Sequence, residues 1–142
     1  MNAIARWYAR RIVNVNVNIV LAGLLAMPPT VAVVHYVSGW VGPERKLVIS
    51  ATTFLADVIF DVIIYYVLHW LANHLPWRQK WVVKGVSSSL SFVRDATLVQ
   101  FERAVLSPIL YTVALGLQYT LMHHGFTPAA ATAIGLGSGI AT

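Results

Sequence analysis

Residues 47–75 run for 29 positions without a glycine or a proline, and most are apolar. At about 1.5 Å per residue, a helix of that length spans a bilayer core of about 30 Å with residues to spare. Two acids, Asp57 and Asp61, stand near its middle. Being four residues apart, they share one face of a helix. The spacing continues on both sides: Thr53, Asp57, Asp61, Tyr65, His69 and Asn73 all fall on steps of four. Each step turns the row by about 400°, so the polar stripe winds slowly round the helix. A carboxylate facing hydrocarbon costs several kcal/mol, so the stripe must face another helix, a partner chain or a water-filled gap.

Composition generalises that constraint. The chain is 58% hydrophobic and 11% charged, against about 25% charged in an ordinary soluble domain. Its mean hydropathy is +0.68. These values point to an all-α integral membrane protein, and 142 residues make it a single membrane domain, 1–142. With no cysteine in the sequence, disulfides, thiolate metal sites and thiol nucleophiles are excluded. The formal charge of +5 suits membrane lipid headgroups, and no nucleic-acid motif accompanies it.

The chain reads as four transmembrane helices in two hairpins, spanning roughly 12–37, 47–75, 104–124 and 128–142. Gly39, Gly42 and Pro43 supply the first turn, and Gly125 and Pro128 the last. A short interfacial helix is expected between spans two and three, at 77–84, where Trp77 and Trp81 share a face. Residues 92–103 read as an amphipathic extension of the third span. In the first span Asn14 and Asn18 share a face, which favours hydrogen bonding to neighbouring helices. Pro28 and Pro29 lack backbone N–H groups and leave the carbonyls of Leu24 and Leu25 without helical partners, so a helix break or kink is expected there. Those carbonyls fall at the same depth as Asp57 and Asp61, which suggests a shared cation or proton site.

The last segment is built from small residues. Ala129, Ala133, Gly137 and Ala141 form one row, and Gly135 and Gly139 another. Ala133, Gly135, Gly137 and Gly139 are the helix-packing positions, because small side chains let backbones approach closely. About fifteen residues reach only about 22 Å, so either the helix is a half-span or its natural continuation lies past residue 142. Offset by 85 positions, Ile49 and Ala56 align with Ile134 and Ala141, a faint echo between the two halves.

Lysine and arginine set the expected orientation. Arg6, Arg10 and Arg11 precede the first span, and Arg78, Lys80, Lys84, Arg94 and Arg103 lie between the second and third. The first loop has only Arg45 and Lys46, beside Glu44. The N-terminus is therefore expected to be cytoplasmic, in the inner membrane if the source is bacterial.

Two classes of function fit these residues. One is an ion- or proton-coupled carrier with Asp57 and Asp61 in its pathway and Tyr65, His69 and Asn73 extending it. The other is a non-catalytic accessory subunit of a larger membrane complex, in which the stripe contacts protein, lipid or a pigment. Expected partners are membrane lipids and either further copies of the chain or other membrane subunits. An enzyme is not expected: there is no Gly-rich phosphate loop, G-x-S-x-G or H-E-x-x-H. His35, His123 and His124 should sit near the outer face. No helix pairs them in a ligand spacing, and the sequence names no cofactor or metal.

Overall fold

The computed structural model describes residues 11–74 and 89–141. Every element among them is helical: α1 (Arg11–Val41), α2 (Lys46–His74), α3 (Ser89–His123) and α4 (Pro128–Ile140). The expected interfacial helix at 77–84 lies outside the described residues. The third expected span and its amphipathic extension are one continuous helix, α3, with Pro108 inside it.

The chain forms two helical hairpins. The pair α1–α2 packs along its length, as does α3–α4, and α1–α4 and α2–α3 contacts join the hairpins. Each turn depends on a glycine at positive φ, 87° at Gly42 and 85° at Gly125, a conformation that costs glycine nothing. Gly42 N–H donates to Ser38 O, closing α1. At the end of α3, Gly125 N–H bonds to Met122 O and Phe126 N–H to Leu121 O. That pair of bonds satisfies carbonyls a helix end otherwise leaves open. Thr127 caps α4, its side chain accepting from Ala130 N–H, and Pro128 occupies the first helical position.

Pro28 and Pro29 do not break α1; the helix runs through them. Proline's fixed φ is compatible with a helix, so the ladder loses two N–H donors while the flanking bonds carry α1 past them. Leu24, Leu25 and Pro28 are exposed, whereas Ala22, Ala26 and Thr30 are buried. The carbonyls freed by the prolines therefore lie on the outward side of α1. Asp57 and Asp61 instead face inward.

Two helices are long and apolar enough to cross a membrane, Val15–Val41 and Lys46–Leu71, with mean hydropathies of 2.0 and 2.1. Only 28% of either apolar window is buried. On α2 the exposed row is Leu55, Ile59, Ile63, Val67 and Leu71. It too advances by fours, on the side opposite the acids. A core helix of a soluble protein would bury such a row, because large exposed apolar patches are rare on soluble monomers.

Candidate functional site

The inward face of α2 carries the stripe expected from the spacing. Thr53, Asp57, Asp61, Tyr65 and His69 are all buried. Asn73 is in α2, but its side chain lies outside the described residues. The facing row on α1 also advances by fours: Asn18, Ala22, Ala26, Thr30, Val34 and Ser38 are buried. Its small residues let α1 lie close to the bulkier stripe.

The stripe meets different neighbours along its length. Thr53 receives a hydrogen bond of 2.7 Å from Gln118 Nε2 of α3. One turn on, Tyr111 of α3 donates its hydroxyl to Asp57 Oδ2 at 2.8 Å. The Tyr111 ring stands edge-on to Phe54 at 4.7 Å, which fixes the direction of its hydroxyl. Asp61 turns toward α1 and α4: a Cβ at Gly23 would lie 4.0 Å from Asp61 Oδ1 and 3.5 Å from Ile140 Cδ1. Glycine at position 23 leaves room where these three helices meet. Tyr65 clusters with Ala22 of α1 and stacks on His69, centroids 5.6 Å apart and planes at 12°.

At the end carrying the turns, Val34, Ile49, Met122 and Ala131 form an apolar cluster with one residue from each helix. One turn deeper on α1, α2 and α3, and one residue on in α4, come Thr30, Thr53, Gln118 and Thr132, all buried. Gln118 Nε2 donates both to Thr53 and to Thr132, each at 2.7 Å. The two threonines in turn donate to Ile49 O and Pro128 O. A polar tier thus lies directly beneath an apolar plug. Among its members the sequence reading placed Thr53 on the polar stripe. Tyr111, Thr30 and Thr132 were missed. The seven-residue spacing of Tyr111 and Gln118, which puts both on one helical face, was the available signal.

The small residues of α4 divide between two neighbours. Gly135 and Gly139 face α3: a Cβ at Gly135 would lie 2.5 Å from Ala114 O, and one at Gly139 3.0 Å from Ala114 Cβ. Gly137 faces Met27 of α1, and Ala133 lines an open apolar groove of about 610 Å³ between α1 and α4. Met27, Pro28 and Val31 form its other wall, with His35 at one end.

His35, His123 and His124 are exposed. His123 Nδ1 lies 3.0 Å from Lys46 Nζ, bringing the two hairpins together beside their turns. Among the described residues, no group of three His, Cys, Asp or Glu side chains is arranged to hold a metal.

No protein-family model matches the chain, and no curated protein or solved structure matches it. The functional reading therefore rests on its own residues.

Proposed function

We infer that the chain is an integral membrane protein of four membrane-entering helices in two hairpins, with a cytoplasmic N-terminus, and that it is a small ion- or proton-coupled carrier. In this reading α1, α2 and the apolar part of α3 cross the bilayer. The apolar helix α4, Pro128–Ile140, enters the bilayer beside them. One observation carries the proposal: two carboxylates, a tyrosine and a histidine line the buried side of a helix whose opposite side is exposed and apolar. Intramembrane acids are costly and characteristically mark ion and proton routes. Asp57 and Asp61 are the pathway residues, with Tyr65 and His69 continuing it away from the turns.

The apolar groove between α1 and α4 favours a second reading, an accessory subunit whose groove receives a lipid or a neighbouring helix. The double variant Asp57→Asn, Asp61→Asn separates the two. Amides keep the shape and hydrogen-bonding capacity of the acids but do not gain or lose the charge a coupled carrier needs. In reconstituted vesicles the variant should remain folded and show no coupled flux. Flux equal to that of the unmodified protein would remove the carrier reading.

A further inference from the structure

Thr30 breaks a pattern that the other described helical threonines keep. Thr52, Thr53, Thr112, Thr120 and Thr132 each donate their hydroxyl proton to the carbonyl four residues earlier. Thr97 pairs with the Tyr66 hydroxyl of α2. Thr30 Oγ1 has no hydrogen-bond partner, although the residue is wholly buried, at 0% exposure. A buried hydroxyl turned away from its own backbone is costly unless something else takes it up.

A second orphan lies in the same tier. Gln118 is 1% exposed, and its Oε1 also has no partner. The orientation of the amide follows from its neighbours. Thr53 and Thr132 spend their hydroxyl protons on Ile49 O and Pro128 O. Each can then only accept from Gln118, and both bonds come from Nε2. Oε1 points away from the two threonines and is left as an acceptor in need of a donor.

The two orphans stand opposite each other in the bundle. Both α1 and α3 pack against α2 and α4, which puts them on opposite corners. Both run toward the turns. Val34 and Met122 lie in one core cluster, and Thr30 and Gln118 precede them by four residues each, so the two share a height. Neighbouring helix axes lie about 8–10 Å apart, which sets opposite corners about 11–14 Å apart. Taking off a Cα radius of about 2.3 Å on each side leaves about 6–9 Å. The Gln118 side chain covers most of that gap, since it reaches α2 and α4 at once. One water fits the remainder.

The chemistry also selects water. The ligand must donate to an amide oxygen and bond to a hydroxyl that can give or take a proton. Water does both, and buried waters characteristically bridge polar groups that the protein leaves unsatisfied. A metal cation would bring a charge to a tier made of neutral groups, Thr30, Thr53, Gln118 and Thr132. An apolar molecule would leave both oxygens as they are.

We propose that Thr30 Oγ1 and Gln118 Oε1 hold one buried water molecule, which ties α1 to α3 across the centre of the bundle. Thr30 thereby joins the network that Gln118 makes with Thr53 and Thr132, and all four helices share one hydrogen-bonded tier. The site belongs to the bundle itself and stands apart from the carrier reading.

Thr30→Val tests it by the sign of its effect on the melting temperature of the full chain in detergent. Valine keeps the shape and removes the hydroxyl. With a water shared between Thr30 and Gln118, valine strands the Gln118 oxygen and the melting temperature falls. With no ligand on the hydroxyl, valine removes a polar group that nothing satisfies, and the melting temperature holds or rises. That second result would overturn the proposal. Gln118→Leu, alone and combined with Thr30→Val, completes a cycle. Once the amide is gone the threonine matters less. The product of the two single effects on the unfolding constant should therefore exceed the effect of the double variant by about threefold or more. Effects that multiply independently would remove the shared water even if Thr30→Val is destabilising. If Gln118→Leu does not fold, a crystal structure that resolves ordered water decides alongside Thr30→Val. A peak within about 2.5–3.2 Å of both oxygens is expected. A Thr30 hydroxyl bonded instead to the Ala26 carbonyl, with no water on Gln118 Oε1, would sink the idea. None of these readouts depends on transport.

Discussion

The two hairpins use similar turns to hold very different seams. Between α1 and α2 the seam is polar on one side: Asp57, Asp61, Tyr65 and His69 lie against a row of small and mostly apolar residues on α1. Between α3 and α4 the seam is almost bare backbone, with Gly135 and Gly139 lying on Ala114 and Leu110. The first seam has side-chain volume that can rearrange. The second has less, because the missing Cβ atoms at Gly135 and Gly139 let the two backbones come close. The glycine seam fixes where Gln118 and Thr132 stand, and so fixes what the polar seam meets.

One substitution made at two places should break that comparison most clearly. Gly135→Ala puts a methyl 2.5 Å from a backbone oxygen, and the helices must part, at a cost of about 1–3 kcal/mol or more. A thermal melt in detergent should show a large drop, and an unchanged melting temperature would mean the close approach is not needed. Next comes Gln118→Leu. It deletes both amide hydrogen bonds that tie α3 to α2 and α4, each worth about 1 kcal/mol net. Its melting temperature should fall by less than that of Gly135→Ala.

Tyr111→Phe keeps the ring against Phe54 and removes only the hydroxyl held by Asp57. A hydrogen bond is worth about 1 kcal/mol net, and water at Asp57 can offset part of the loss. A modest drop in stability with a clear change in flux or ion affinity is expected. A variant with the same ion affinity and flux as the unmodified protein would put Tyr111 outside the site. The smallest effect belongs to Gly23→Ala in the polar seam. There the new methyl meets Ile140 Cδ1 at 3.5 Å, an ordinary contact. Helix propensity favours alanine over glycine by up to about 1 kcal/mol. The melting temperature should hold or rise slightly, and a fall matching that of Gly135→Ala would erase the distinction between the seams.

Much of this arrangement could be read from the residues. The four-residue spacing of Thr53, Asp57, Asp61, Tyr65 and His69 located the buried face of α2, because charge in an apolar helix has only one tolerable direction. Rows of glycine and alanine marked α4 as a close-packing helix. Which row met which neighbour was not legible, since that depends on how two hairpins dock rather than on any local pattern. Pro28 and Pro29 misled for the opposite reason. The loss of donors was inferred correctly, but its side of the helix follows from which residues of α1 turn inward, and Ala22, Ala26 and Thr30 carry too little polarity to announce themselves. Thr30 and Thr132 look like ordinary helix residues until the Gln118 amide gives their tier a meaning.

The winding of the stripe has a consequence for anything that moves along it. Four steps of four, from Thr53 to His69, rotate the row by about 160° on a straight helix. The neighbours change along it: Thr53 and Asp57 bond to α3, Asp61 comes close to Gly23 of α1, and Tyr65 packs in a cluster with Ala22 of α1 and Val99 of α3. A passenger would therefore travel a spiral stair, leaving a wall of amide and hydroxyl for one of glycine and alanine partway down. Its last protein oxygen on the first wall and its first on the second belong to two acids of the same chemistry in different company. In the proposed carrier, such a route would have a direction built into its surroundings even though its two central steps are the same residue.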